Sequence, residues 1–292
     1  MKKQLNYRQL LALVLTLAML LLMGCNKDSM DPVADEPATL TASDDAAESV
    51  ASNISEDTGG LTDQMADLLS LASNSGFAKL GQEGDAEAIS REYDPITGTW
   101  TIIIERERSN PAGTHSASIY REYTLQFLNA EGEPQQFWLT NGDTARTIQF
   151  DIVEGSGEHH TPRISHYLTG LSGSFTATNV NTDLITINGT YFRSGVDTLT
   201  TNNLQRTMDH SLDLTVTDLT GPRGIRPRNL SEALSGTISG TYHAFITWTR
   251  GEAYRETEIN RTFTIVIGDG NTEIDLDGKR YSCNLQTGDI NP

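Results

Sequence analysis

A period of two in hydrophobicity runs from about Ala88 to the end of the chain and constrains the fold more than any other feature. Apolar and aromatic residues alternate with polar ones, as at Trp100, Ile102 and Ile104. Between these segments stand pairs that favour tight hairpin turns, namely Asn141-Gly142, Asp269-Gly270 and Asp277-Gly278. No long helical pattern interrupts the region, so the sheet should be antiparallel. We predict an all-β domain, an antiparallel sandwich or soluble barrel of about ten to twelve strands.

The individual strands can be placed from the same alternation, near 164–179, 183–193, 206–217, 235–249 and 256–267. A three-strand meander follows, in which acidic residues alternate with Ile274 and Leu276. Calcium loops also carry oxygen ligands at alternate positions, but they need Gly at the sixth position, where Ile274 stands when counting from Asp269. We therefore predict a hairpin that turns Ile274 and Leu276 inward.

Two short segments of this region are similar in sequence. The segment Ile187-Asn188-Gly189-Thr190-Tyr191 resembles Ile238-Ser239-Gly240-Thr241-Tyr242. Glycine inside a strand marks a bend or a close approach of another backbone. The repeated glycine therefore predicts a curved sheet.

The segment from residue 26 to residue 87 has a different composition. It holds 14 acidic residues and two Lys, and Phe77 is its one aromatic residue. Such a composition predicts a flexible acidic linker with one or two short helices. Leu61, Met65 and Leu68 fall at helical spacing, which predicts a helix that packs on the following domain or binds a partner.

The first residues have the order of an export signal. Lys2, Lys3 and Arg8 precede the run Leu10–Met23, which is apolar apart from Thr16 and too short to span a bilayer comfortably. The run ends at Leu22-Met23-Gly24-Cys25. These features divide the chain into a signal peptide (1–24), a linker (25–87) and a β-domain (88–292).

The motif Leu22-Met23-Gly24-Cys25 resembles the lipobox of bacterial lipoproteins. The resemblance implies cleavage before Cys25 and attachment of diacylglycerol and palmitate to it. Asn26, in place of Asp, implies the outer membrane rather than retention at the inner one. Cys25-Asn26-Lys27-Asp28 is similar to the export signal of Bacteroidetes surface lipoproteins. The resemblance thus implies a lipid-anchored cell-envelope protein, on either the periplasmic face or the surface.

Charge and cysteine content narrow the range of partners. The net charge is -18. Removing a leader with three basic residues and no acidic one takes it to -21, so the surface repels nucleic acid and anionic membranes except through the lipid. With Cys25 acylated, Cys283 has no partner within the chain. We expect a thiol buried in a terminal strand, with intermolecular pairing or a reactive thiol as the alternatives.

Two groups of residues are candidate binding sites. His159, His160 and His166 form the one histidine cluster in the sequence, but no Cys or spaced carboxylate completes a ligand set, so we predict neither a metal nor a cofactor. Arg223, Arg226 and Arg228 form a basic loop that could bind an anionic glycan or lipid headgroup, since Arg presents planar donors to anions. The loop could equally pair with nearby acidic residues.

The sequence carries no nucleophile elbow, P-loop or dinucleotide-binding motif. Glu105, Glu107 and Glu122 could serve a glycoside hydrolase, which depends on a carboxylate separation that sequence does not supply. We expect no catalytic residues and a β-domain that binds an envelope protein or glycan, or is structural. The alternative is a carrier of an apolar ligand or lipid inside a barrel.

Overall fold

The computed structural model describes residues 42–73, 86–110, 112–201, 204–224 and 234–291. Within them two helices precede fifteen strands. None of the helices in these ranges combines the length and the apolar character that crossing a membrane requires. The elements are α1 (Ala42–Ile54), α2 (Leu61–Leu71), β1 (Ala86–Asp94), β2 (Thr99–Ser109), β3 (Ser116–Leu128), β4 (Pro134–Gln135), β5 (Leu139–Thr140), β6 (Asp143–Thr144), β7 (Thr147–His160), β8 (Ile164–Thr178), β9 (Leu184–Thr201), β10 (Leu204–Pro222), β11 (Ser235–Arg250), β12 (Ala253–Gly268), β13 (Asn271–Leu276), β14 (Lys279–Cys283) and β15 (Ile290–Asn291).

The strands form one continuous antiparallel meander. The order of hydrogen-bonded neighbours is β1-β2-β3-β7-β8-β9-β10-β11-β12-β13-β14-β15, with β4 paired to β3 and a separate small hairpin of β5 and β6. Because successive strands of the chain pair with one another, tight turns suffice to connect them. The prediction of an antiparallel all-β domain of about ten to twelve strands is confirmed.

The predicted turns lie where the sequence placed them. Asn141, Asp269 and Asp277 have φ angles of 54°, 53° and 52°, and each precedes a glycine that also has positive φ. This is the backbone that a two-residue hairpin turn requires. In the hairpin of β13 and β14, Ile274 and Leu276 are buried, as predicted.

The sheet curves around the two helices. Side chains from distant strands reach the same helices: Arg106 on β2 contacts Asp63, His159 on β7 contacts Ser52, and Tyr281 on β14 contacts Asp44. The helices are also enclosed on all sides, since every residue of α2 apart from Ser70 is buried. We call the face of the sheet that contacts the helices the inner face, and the opposite face the outer face.

The expectation of a solvated linker over residues 25–87 is wrong for residues 42–73. These residues belong to one compact unit with the strands, which begins at Ala42 and not at Ala88. The acidic and hydroxyl side chains that suggested solvation are enclosed and paired by the sheet. The predicted packing of Leu61, Met65 and Leu68 on the domain is confirmed. Residues 1–41 and 74–85 lie outside the described residues.

Gly189 and Gly240, the glycines that the two similar segments share, lie at close approaches between neighbouring backbones. A Cβ on Gly189 would lie 2.3 Å from the carbonyl oxygen of Ser174, and one on Gly240 would lie 2.1 Å from that of Asp213. Neither position can accept a side chain without a shift of the neighbouring strand. Two residues further on, Tyr191 and Tyr242 both point to the inner face and are buried. The two similar segments therefore place two tyrosines in the interior through the same local backbone geometry.

Truncating a helix residue should destabilise the whole β-domain. Leu68 on α2 is fully buried, so Leu68→Ala should lower the free energy of unfolding by about 2–5 kcal/mol. The matched control is Leu184→Ala, since Leu184 is 56% exposed and its truncation should change stability by no more than about 0.5 kcal/mol. Urea denaturation followed by circular dichroism measures both. Equal effects would show that α2 is not part of the core.

Candidate functional site

The contact between the helices and the inner face of the sheet is strongly polar. Eight charged or imidazole side chains of the sheet lie there with no more than 4% of their surface exposed: Arg106, Arg121, His159, His166, Arg193, Asp197, Arg206 and His210. Such groups are rarely buried unless they are paired. The partners of these eight side chains therefore determine which chemistry the interior can support.

Strand β9 shows how the alternation of side chains brings polar groups inside. Arg193, Asp197 and Leu199 point to the inner face, whereas Phe192 points outward and is partly exposed. Hydrophobicity alone would assign Arg193 and Asp197 to the outer face and Phe192 to the inner face. The helices reverse the assignment, because they supply polar partners to the inner face.

Three arginines of the sheet form buried ion pairs with the helices. Arg106 contacts Asp63 at 2.8 Å and Asp67 at 3.0 Å, and Arg108 contacts Asp63 at 2.6 Å. Removing one partner of such a pair leaves a buried charge without compensation and is strongly destabilising. These pairs therefore fix α2 in one position. A similar contact of 3.2 Å joins Arg206 to Asp45 and holds α1.

Two further arginines hold the turn between the helices. The carbonyl oxygen of Gly59 accepts hydrogen bonds from Arg121 Nη2 at 2.9 Å and from Arg193 Nη1 at 3.1 Å. Burial, and then the charge of Arg193, lower the pKa of Arg121 below its ordinary value. Gly59 has a φ of +66°, and a Cβ there would lie 2.4 Å from Ile119 Cδ1, so this position requires glycine.

A cluster of imidazoles and one carboxylate lies beside this turn. His166 Nδ1 lies 2.6 Å from Asp197 Oδ1, and His210 Nε2 lies 3.0 Å from Asp197 Oδ2. The hydroxyl of Ser49 on α1 donates to Asp197 Oδ2. The rings of His159 and His166 stack with centroids 4.5 Å apart, and those of His166 and His210 with centroids 5.5 Å apart. We call His166, Asp197 and His210 the His-Asp-His cluster.

Burial and hydrogen bonding set the charges of this cluster. Burial opposes ionisation of Asp197, but the facing His210 and His166 hold the pKa of its carboxyl well below the ordinary value. Burial lowers the pKa of His166 to about 4. Burial, and then the neighbouring His166, lower the pKa of His159 well below its ordinary value. With its pKa at about 4, His166 is uncharged at neutral pH, so the enclosed carboxylate of Asp197 accepts a hydrogen bond from a neutral ring there.

The cluster has the donor set of a metal site and no route for a large substrate. The ligand atoms of His166, Asp197 and His210 lie within 4.8 Å of one another. Imidazole nitrogen and carboxylate oxygen are both common ligands of transition metals. All three residues are buried, which excludes contact with a macromolecule. Chemically, the arrangement can bind an ion or join the helix to the sheet.

The structure brings two of the three histidines predicted from the sequence together and places the third on the other face. His166 belongs to the cluster, His159 stacks on it, and His160 is exposed on the outer face, where it contacts Ser165. The sequence reasoning missed Asp197 and His210, which lie on the next two strands. The one sequence signal for these two residues is that each lies in a long segment of alternating apolar and polar residues. This alternation does not give the register between strands.

The structure describes one of the three predicted arginines of the basic loop. Arg223 donates from Nε to the carbonyl oxygen of Thr182 at 2.7 Å, and its guanidinium lies 4.8 Å from the centre of the Trp138 ring. Arg223 therefore holds the start of the loop against the domain. Arg226 and Arg228 lie outside the described residues, so anion binding by this loop stays a prediction.

The glutamates considered for a glycoside hydrolase lie on the outer face. Glu105 and Glu107 are exposed and line an open hollow of about 620 Å³ together with Tyr120. Glu122, which is half-buried, stands opposite Glu154 on the neighbouring strand. Repulsion between such facing carboxylates disfavours close approach. The structure brings these groups to one acidic surface and not into an enclosed cleft.

Cys283 is buried in β14, as expected for a thiol in a terminal strand. Burial, with a smaller effect of Asp289, raises the pKa of its thiol to about 12. The nucleophilic thiolate is therefore scarce at neutral pH.

Comparison of the chain with protein-family models, with curated proteins and with solved structures finds no match. No related protein therefore supplies a role for any of these residues. Their chemistry rests on the geometry of this chain.

Breaking the buried ion pairs of Arg106 should cost far more stability than breaking an exposed pair. Arg106→Met leaves the buried carboxylates of Asp63 and Asp67 without this guanidinium, which should lower the free energy of unfolding by about 3–5 kcal/mol. The control is Arg280→Met, whose exposed pairs with Glu273 and Asp275 should contribute less than about 1 kcal/mol. Urea denaturation distinguishes the two, and similar losses would contradict the assignment.

The thiol of Cys283 should react slowly in the folded protein. In a Cys25→Ser background, where Cys283 is the one thiol left, a disulfide reagent should modify the native protein at least about 100-fold more slowly than the urea-unfolded protein. Because the pKa is raised to about 12, the native rate should still increase above pH 10. A native rate that levels off near the ordinary pKa of a thiol would show that Cys283 is accessible.

Proposed function

We propose that the chain is a lipid-anchored protein of the cell envelope whose β-domain binds a partner or serves structurally, without catalysis. The observation that carries the proposal is the motif Leu22-Met23-Gly24-Cys25 at the end of a short apolar run. Acyl chains on Cys25 would contribute about 0.8 kcal/mol per buried methylene, so more than one chain gives stable anchoring. The Asn at position 26 supports the outer membrane as the destination.

The compact unit that contains the sheet begins closer in sequence to Cys25 than the composition predicts. The folded unit begins at Ala42, so residues 26–41 connect it to Cys25. Sixteen residues span at most about 55 Å when fully extended. This length supports a domain that acts close to the membrane surface.

The occupied interior argues against the carrier alternative. Leu61, Met65 and Leu68 of α2 are buried in the same core as the inner-face residues of the sheet. An apolar ligand inside the sheet would have to displace these helices and break the ion pairs of Arg106 and Arg206. A partner of the folded protein therefore meets the outer face and the connecting loops.

The outer face offers groups that suit a polar partner. An open hollow of about 630 Å³ lies across β8, β9, β10 and β11, and its lining includes Ser172, Thr190, Phe192, Asp213 and Thr241. The hydroxyl groups can donate and accept hydrogen bonds, and the carboxylate can accept them. The partly exposed aromatic ring beside them can stack on a partner. These properties support a glycan or an envelope protein as partner.

Lipid attachment is tested by metabolic labelling with an alkyne-tagged palmitate. The full chain should carry the label and sediment with outer-membrane fractions, whereas Cys25→Ser should lose the label and leave the outer-membrane fraction. Cys283→Ser is the matched control, since the buried thiol of Cys283 should take no lipid. Label retained by Cys25→Ser would overturn the proposed anchor.

A further inference from the structure

We propose that His166, Asp197 and His210, closed over by helix α1, bind a divalent transition-metal ion, with Zn²⁺ as the first candidate. The site joins three adjacent strands, since His166 lies on β8, Asp197 on β9 and His210 on β10. Its three residues are buried on the inner face, apart from the outer face.

The positions of the donor atoms fit one ion. The ligand atoms of the three residues all lie within 4.8 Å of one another, and Asp197 lies between the two imidazoles. Bonds of Zn²⁺ to nitrogen and oxygen are about 2.0–2.2 Å long, so an ion within this group reaches all three with small side-chain shifts. Two imidazoles and one carboxylate form the donor set of several known zinc sites.

The helix supplies further oxygen atoms at the same point. The Ser49 hydroxyl contacts Asp197 Oδ2, and the Asn53 amide nitrogen lies 3.4 Å from His210 Nε2. Asn53 is 1% exposed, and its Oδ1 atom has no hydrogen-bond partner among the described residues. The Asn53 amide nitrogen also donates to the Ser49 carbonyl oxygen at 2.8 Å, which fixes the orientation of this amide. The Ser49 hydroxyl would then complete a four-coordinate site.

Charge also favours a cation at this position. Asp197 is 0% exposed, and its contacts are with imidazole nitrogens and a hydroxyl. Arg193, whose charge acts on both His159 and His166, donates to the carbonyl of Gly59 and not to Asp197. The two imidazoles already favour the ionised form of this enclosed carboxylate, and its negative charge would attract a divalent ion placed between them.

Metal binding requires each imidazole to present a lone pair, in place of a hydrogen, at the nitrogen that faces Asp197. In the hydrogen-bonded form, His166 Nδ1 and His210 Nε2 carry the hydrogens that Asp197 accepts. Moving these hydrogens to His166 Nε2 and His210 Nδ1, which have no partner among the described residues, frees two lone pairs for the metal. The ion would then connect α1 to β8, β9 and β10 and act as a structural metal.

The test uses the full chain, solubilised in detergent and treated with a chelator. Because the site is closed, Zn²⁺ or Co²⁺ is supplied both to the folded protein and during refolding from urea. Bound metal is measured by elemental analysis after gel filtration, and Co²⁺ is examined by visible absorption. We expect about one equivalent per chain, Co²⁺ bands typical of tetrahedral coordination, and a thermal midpoint that rises with metal concentration.

Variants locate the ion. Asp197→Asn and His210→Gln should each lower the bound metal at least about tenfold, since each removes one ligand. His243→Gln is the control, because His243 is exposed and contacts Glu258. Ser49→Ala, a milder change on α1, keeps the test informative if a ligand variant fails to fold, and it should weaken binding because the Ser49 hydroxyl contacts Asp197. Equal binding by Asp197→Asn and His243→Gln, or no binding by the folded wild type under either condition, would overturn the proposal and leave a hydrogen-bonded cluster only.

Discussion

The pairing of buried charges between the helices and the inner face of the sheet is the constraint on which this fold depends. Arg106 and Arg206 would each be costly inside a protein without a partner, and so would Asp63 and Asp45. Each group finds its compensation on the other side of the contact. The helices therefore have no stable solvated alternative beside a folded sheet, and the sheet has no stable interior without the helices.

In this interior the apolar contacts mainly supply stability, whereas the polar contacts mainly set the position of the helices. Burial of Val50, Leu61 and Leu68 supplies the drive to place the helices inside, at about 1.5–3 kcal/mol for each large side chain. Buried ion pairs roughly break even against apolar packing of the same volume. Their larger effect is on position, since a helix shifted by one turn would separate Arg106 from Asp63. Hydrophobic burial thus gives stability, and pairing selects one arrangement.

The strands could be predicted from the sequence, but the interior could not. The strand predicted near 164–179 is Ile164–Thr178, because alternation and turn residues are local properties. The acidic composition of residues 25–87 predicts a solvated linker, because Asp63 and Asp67 resemble solvent-facing residues until Arg106 is known to lie opposite. Asp197 and His210 join His166 through the register of three strands, which no single segment encodes.

On each strand, alternate side chains belong to the inner face and to the outer face. On β9, Arg193 and Asp197 serve the interior, whereas Phe192 contributes to the hollow on the outer face. Neighbouring residues of a strand point to opposite faces, so they contact different surroundings. A change at an outward position can therefore alter the outer surface while the ion pairs and the His-Asp-His cluster stay intact. Since the helices already supply the interior with partners, the partner binding that we propose would use the outer face.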